Sequence, residues 1–367
     1  MKKGIFFFRQ AALYRYPVYS KIDSELDVTF YFCKKIKSNL KMLDYSKLSK
    51  VNLSLVEFNL PFGFYYLYGA LKVNLKNYDY VFIAGDIRDI SSWAILLKCR
   101  ILKKPVYYWT HGFYGKEPFL ICKIKKLYYT LGDDVFVYGQ YSKRLMIQEG
   151  IKEKNIHVIY NSLDYDNHKI LRNKLIRSDV YINIFRNTYP VIIFIGRLVE
   201  SKKLEYLLKA QHELIRQNII INVIFIGNGE EVRRLKIIAK HNKIDKYVYF
   251  HGSCYNEKEI SKFIYNADIC VSPGNIGLTA IHSLSFGTPV ITHNQPKFQG
   301  PEFEAIIEGI NGAFFDYNSI SSLSETIKRW ISLNPVKSNK IIDNCYRIID
   351  TRYNPTYQIE LLKRVLN

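Results

Sequence analysis

No apolar run in the sequence approaches the roughly 18–20 residues that cross a bilayer, which argues against a membrane-spanning chain. The opening MKKGIFFFRQAALYRYPVYSK holds too short an apolar stretch for a secretory leader, so a cytosolic location is expected. The six cysteines, Cys33, Cys99, Cys122, Cys254, Cys270 and Cys345, lack any C-x-x-C spacing and suggest neither a disulfide framework nor a zinc site. Glycine and proline are sparse, 19 and 11 in 367 residues, which excludes collagen-like and low-complexity chains. Acidic side chains are the scarcer charge, 33 against 53 basic, and the resulting +20 favours anionic partners such as nucleotides, nucleic acid or an acidic membrane surface. Residues 1–165 carry 26 basic and 14 acidic side chains and residues 166–367 carry 27 and 19, so both halves are basic and the first more so.

With 48% hydrophobic residues, the chain is long enough for about two domains, each with its own core. In the first half, β-branched and aromatic runs recur at 4–8, 28–32, 81–84, 106–109 and 135–138, several of them separated by helix-length segments. In the second half, near-continuous apolar runs fall at 191–195, 221–226, 247–250, 268–272 and 289–292. This alternation predicts parallel strands with crossover helices and covered sheet faces. Leu204, Leu207, Leu208, Leu214 and Ile215 lie near helical spacing, which predicts an amphipathic helix after Lys203. The fold class expected is α/β: two doubly wound, Rossmann-like domains facing across a cleft, with ligands at the carboxyl ends of their strands. The boundaries expected are 1–165 for the first domain, 166–345 for the second, and 346–367 for a terminal helix crossing back to the first.

Candidate chemistry gathers at strand ends. The run 191–195 leads into Gly196-Arg197 and then Lys202-Lys203 before a helix, placing cations beside free backbone amides where a diphosphate fits; the plainer alternative is solvated surface charge. Gly227-Asn228-Gly229 follows the next strand but lacks the third glycine of a dinucleotide fingerprint, and a tight turn explains it equally well. Ser272-Pro273-Gly274-Asn275-Ile276-Gly277-Leu278 opens a helix carrying His282, and free amides from Asn275 to Leu278 are expected to hold phosphate or sugar oxygens. The histidines His111, His251, His282 and His293 show no close metal-ligand spacing, so no metal is expected. Ile121 to Tyr129 mixes basic and aromatic residues at helical spacing, as in a membrane-surface helix or one packed on the sheet with solvated lysines.

The order Gly196-Arg197 with Lys202, Gly227-Asn228-Gly229, Phe250-His251-Gly252, Ala267-Asp268, Gly277-Leu278, Gly287-Thr288-Pro289-Val290-Ile291, Glu304 and Glu308-Gly309-Ile310-Asn311-Gly312 resembles the carboxyl-terminal domain of retaining glycosyltransferases of family 4. His111-Gly112, after Trp109-Thr110, is similar to that family's sugar-facing histidine in the amino-terminal domain. The resemblance implies a GT-B fold and transfer of a sugar from a nucleotide diphosphate sugar to an acceptor hydroxyl with retention. Arg197, Lys202 and His111 would be the catalytic groups, and Gly196, Gly227, Asn275, Ile276, Gly277, Leu278, His282 and Glu304 the donor-binding ones. Two family glutamates eight positions apart, one near the donor sugar and one on the ribose, correspond to Gly274 and His282; a neutral His282 is expected to bond a ribose hydroxyl instead. The first strand is followed by Phe8-Arg9-Gln10 rather than the family's glycine pair. The resemblance implies no cofactor beyond the donor, a lipid-linked or saccharide acceptor in bacterial surface polysaccharide or glycolipid assembly, and no nucleic acid. The basic first half adds peripheral contact with the inner, anionic face of the membrane as an option. Two rivals stand beside this reading: a nucleotide-sugar epimerase on the same fold, and a catalytically degenerate nucleotide-sugar or membrane binding protein.

Overall fold

In the computed structural model, which describes residues 2–34, 36 and 41–366, the chain divides into two units. Residues 1–164 with 354–367 form the first, and residues 165–353 the second. The helix Asn339–Thr351 therefore belongs to the second unit, and only the final helix, Pro355–Leu366, returns to the first. That helix buries Ile359, Leu362 and Leu366 in the first unit's core, and its Gln358 bonds Ser162 Oγ at 2.7 Å and the Tyr160 carbonyl at 2.9 Å.

The first unit is built on β1 (Lys3–Phe7), β2 (Asp27–Cys33), β3 (Val51–Asn59), β4 (Tyr65–Tyr68), β5 (Tyr80–Ala84), β6 (Val106–Thr110), β7 (Asp134–Val137) and β8 (Ile156–Val158). Among the described residues these form one sheet in the order β4-β3-β2-β1-β5-β6-β7-β8, parallel except for the β3–β4 pair. The runs around residues 4–8, 28–32, 81–84, 106–109 and 135–138 are its central strands, as their two-sided apolar character requires. The β3–β4 hairpin was not expected; it sits at the sheet edge, where one-sided burial leaves Val56 and Phe58 exposed and weakens the apolar pattern. The core is aromatic: Phe6 stacks on Phe82 with centroids 4.4 Å apart and leans on Phe30 at 5.4 Å.

The second unit carries β9 (Val191–Ile195), β10 (Asn222–Ile226), β11 (Val248–Gly252), β12 (Ile269–Ser272), β13 (Val290–His293) and β14 (Gly312–Phe315). All are parallel, in the order β11-β10-β9-β12-β13-β14. The order runs outward in both directions from the β9–β12 pair, and such a reversal opens a crevice beyond the strand ends. The helix Leu204–Arg216 presents Leu204, Leu207, Leu208 and Leu214 to this core, the face its spacing predicts, with Ile215 at the margin. Among the described residues no helix is long and apolar enough to cross a membrane.

Candidate active site

At the carboxyl end of β9 the chain turns through Gly196, whose N–H donates to the Ile226 carbonyl at 3.0 Å. Thr279 Oγ1 donates to the Ile195 carbonyl at 2.9 Å and so ties the start of the helix Thr279–Ser285 to the same strand end. Arg197 follows, exposed, with no ion-pair partner among the described residues. Lys202 turns inward instead: its ammonium donates to the Asn275 carbonyl and, at 3.4 Å, to that of Ile276. Burial pushes its pKa down to about 8, with Arg197 acting in the same direction and the nearby Glu302 opposing both. The two cations expected to act alike are thus placed differently, Arg197 toward solvent and Lys202 beneath the 274–278 loop.

That loop also departs from the expectation of free amides. Asn275 N–H donates to the Ser201 carbonyl at 3.3 Å and Ile276 N–H to Gln299 Oε1 at 2.9 Å, so only the Gly277 and Leu278 amides are left over among the described residues. Gln299 is itself held by Thr292 Oγ1 at 2.9 Å and the His293 carbonyl at 3.1 Å, which makes it the brace between the end of β13 and the loop. Asn275 Oδ1 accepts the Gly300 N–H at 3.1 Å. Gly227 is a packing glycine rather than a ligand-facing one: its N–H is spent on the Gly252 carbonyl at 2.8 Å, and a Cβ there would overlap the Gly196 carbonyl oxygen. Glu304 lies half-buried in the short helical turn Pro301–Ala305. Its neighbour Glu302, which the sequence reading passed over, is the buried carboxylate whose charge reaches Lys202.

His282 does not stand free to meet a ribose. Its Nε2 lies 2.6 Å from Glu257 Oε1, and His168 Nε2 approaches the same oxygen at 3.1 Å. The two imidazoles outweigh the upward push of burial and hold the Glu257 carboxyl well below the usual range. Spacing along the chain could not reveal this cluster, because its members lie on three helices brought together only by the fold.

In the first unit, the ends of β5, β6 and β7 open into a cavity of about 710 Å³ lined by Arg15, Asp86, Trp109, His111, Lys125 and Tyr138, among others. His111 is exposed to this cavity, yet the surrounding protein, reinforced by Arg15 and Lys125, lowers its pKa to about 4, and the imidazole is neutral near neutral pH. Lys125 is paired with Glu117 at 2.6 Å and Arg88 with Asp86 at 3.1 Å, whereas Arg15 lies over the Trp109 and Tyr138 rings at 4.9 and 5.4 Å. Lys125 belongs to the helix Phe119–Thr130, which buries Tyr128 and Tyr129 and exposes Phe119, Leu120 and Leu127.

His293, at the end of β13, is fully buried, and its Nδ1 accepts the Gln295 N–H at 3.2 Å, so the neutral ring carries its proton on Nε2. Burial, reinforced by Lys203, pushes its pKa down to about 4. Between that value and the ordinary 6.5, the unfolded chain takes up a proton that the folded one refuses, so stability rises with pH through this window and falls as the pH drops. His293 should therefore cost the fold roughly 3 kcal/mol by pH 4. Urea titrations at pH 4.5 and 7 on wild type and His293→Gln test this: the wild type should lose the more stability on acidification, and equal losses would refute the assignment.

Two α/β units, one on an all-parallel sheet and one on a sheet parallel except at its β3–β4 edge, have the GT-B fold of the solved glycosyltransferase structures they match. Residues 176–347, most of the second unit, match the family model of glycosyl transferases group 1. The chain is 25% identical over 231 residues to an uncharacterized glycosyltransferase, MJ1059, of Methanocaldococcus jannaschii, a match covering 58% of this chain and 55% of that protein. It is 31% identical over 109 residues to the glycogen synthase of Hydrogenovibrio crunogenus, covering 29% and 22% respectively. The matched part thus spans little more than half of the first relative and about a fifth of the second. In structure, it is similar over 99% of both chains to Anabaena HepE, solved in complex with UDP, at a TM-score of 0.75 and 17% identity. It is similar over 99% of both chains to the apo lipopolysaccharide outer core galactosyltransferase WaaB, at 0.72 and 17%.

Proposed function

We propose that the chain transfers a sugar from a nucleotide diphosphate sugar to an acceptor hydroxyl, with retention and without a metal ion in the reaction. The observation that carries this is Arg197, an exposed cation with no ion-pair partner among the described residues, at a strand end of the unit that matches the glycosyltransferase model. As the bond between the anomeric carbon and the diphosphate breaks, negative charge grows on the leaving oxygen, and a preplaced guanidinium stabilises it. The Gly277 and Leu278 amides, left over from the internal hydrogen bonding of the loop, add donors to the same charge. Lys202 contributes by fastening the loop, and its positive charge adds to the field. The leaving phosphate oxygen takes the acceptor's proton, and the new bond from acceptor oxygen to anomeric carbon forms on the face the phosphate leaves. The neutral His111 is the first unit's sugar-contacting group.

The aromatic walls of the cavity suit a saccharide, alone or on a lipid carrier, and surface polysaccharide or glycolipid assembly is the setting in keeping with the likeness in structure to the lipopolysaccharide galactosyltransferase WaaB. The exposed Phe119, Leu120 and Leu127, on a helix that also carries Lys123 and Lys126, support peripheral contact between a cytoplasmic enzyme and an anionic membrane.

Transfer of radiolabel from a panel of nucleotide sugars tests the reading, with soluble saccharides and with lipid-linked acceptors in neutral or anionic vesicles, all in chelator. Labelled product should form in chelator, most in anionic vesicles. Donor binding without product would favour a degenerate binding protein, and a donor sugar inverted at one carbon would favour an epimerase. Product appearing only when Mg²⁺ or Mn²⁺ is restored would remove metal independence, and equal rates in both vesicle types would remove the membrane contact.

A further inference from the structure

The His168, Glu257 and His282 cluster is a separate feature of the second unit. His168 lies on the helix Tyr165–Arg172, Glu257 is the first residue of the helix Glu257–Asn266, and His282 lies on the helix Thr279–Ser285. The two imidazole rings stack with centroids 5.5 Å apart and planes 19° from parallel. Both turn Nε2 to one oxygen, Glu257 Oε1, and the three ligand atoms lie within 4.8 Å of one another. His168 is buried, while Glu257 and His282 are half-buried and leave one side of the cluster open.

Two imidazole nitrogens and one carboxylate oxygen are a familiar donor set for zinc, with a fourth position left to water. Ligand atoms bound to a tetrahedral ion at about 2.0–2.1 Å stand about 3.3 Å apart. The Nε2 to Oε1 separations here are 2.6 and 3.1 Å and no two of the three ligand atoms are more than 4.8 Å apart, so an ion needs these atoms to shift by no more than about 1.5 Å. The set also suits the ion chemically, because imidazole and carboxylate together favour zinc and its first-row neighbours over magnesium or calcium, which take oxygen shells.

We propose that His168, Glu257 and His282 bind one divalent transition-metal cation of the zinc type, with water completing its shell. The ion replaces the two hydrogen bonds that now join the imidazoles to the carboxylate, and it fastens three helices that are distant in sequence. Its role is structural; it takes no part in neutralising the diphosphate, and the proposal does not depend on the transfer reading.

The experiment is a calorimetric titration of the full chain, stripped with chelator and dialysed, with Zn²⁺ and separately with Co²⁺, and with no nucleotide sugar present. One equivalent should bind, the Co²⁺ adduct should show the visible absorption of a four- or five-coordinate ion, and the melting temperature should rise with metal. His168→Gln and His282→Gln, each checked for folding by circular dichroism, should weaken binding by about 100-fold or more, beyond what losing an outer-shell partner does. His241→Ala, exposed at the end of the helix Val232–His241, should leave binding unchanged. A wild type that takes up no more Zn²⁺ than a variant carrying His168→Gln and His282→Gln together, or single variants that bind as tightly as wild type, would overturn the proposal and leave a hydrogen-bonded clamp. Should a variant fail to fold, the wild-type stoichiometry and Co²⁺ spectrum decide alone. The readout is metal binding without donor, so failure here and failure of sugar transfer are separate results.

Discussion

Arg197→Ala should slow sugar transfer by about 100- to 1000-fold and leave the fold intact, the scale on which removal of one preorganised charge stabiliser acts. The guanidinium is exposed, has no ion-pair partner among the described residues and packs in no core, so its loss should change stability by no more than about 0.5 kcal/mol. The effect should fall on turnover more than on the Michaelis constant, because the charge Arg197 meets is largest as the diphosphate departs. Arg197→Lys keeps the charge but loses the planar fork, and should recover part of the rate. Steady-state kinetics with a melting curve for each protein checks this; wild-type turnover in a folded Arg197→Ala enzyme would show that the diphosphate is held elsewhere. Lys202→Ala makes the contrast. It frees the Asn275 and Ile276 carbonyls from their donor, so it should lower stability and rate together.

The strands that carry the site were legible because parallel strands with both faces covered read as unbroken apolar runs, and 191–195 is β9 to the residue. The β3–β4 hairpin, β8 and β14 were not read, being edge or short strands with thin apolar signatures. At the site, sequence placed Arg197, Lys202 and the 274–278 loop near strand ends, but it gave no direction to the side chains. Lys202 turns inward because the loop's two carbonyls need a donor there, and Gln299, which has no motif of its own, braces the loop through Ile276 N–H. In Pro301-Glu302-Phe303-Glu304 the resemblance selected Glu304. Burial selects Glu302, and two glutamates two positions apart cannot be ranked until the turn that holds them is known. The His168 and Glu257 partners of His282 were invisible for the same reason, with the two histidines standing 114 positions apart in the chain.

Gly274→Glu, the substitution that restores the carboxylate the resemblance expects, should damage the enzyme rather than improve it. Gly274 N–H donates to the Lys202 carbonyl at 2.9 Å and Asn275 N–H to that of Ser201 at 3.3 Å, so two hydrogen bonds hold the loop against the 201–202 backbone. A Cβ at 274 would overlap the Ser201 carbonyl oxygen and stand 2.7 and 2.8 Å from the carbonyl carbon and Cα of Lys202. These are main-chain atoms, which cannot rotate aside as a side chain does; either the loop or the 201–202 turn must move. Gly274→Ala alone should therefore cost the upper part of the roughly 1–3 kcal/mol typical of overpacking, a fall in melting temperature of roughly 5 °C or more. Gly274→Glu adds a carboxylate to a buried position and should cost more still. Because Lys202 reaches the Asn275 and Ile276 carbonyls across this contact, loosening it should also lower donor affinity in both variants. Melting curves and donor titrations of the alanine and glutamate variants measure the two effects side by side. A Gly274→Glu protein that melts with the wild type and transfers sugar faster would mean that the loop accepts a side chain here, and that its contact with Ser201 and Lys202 is not what keeps residue 274 a glycine.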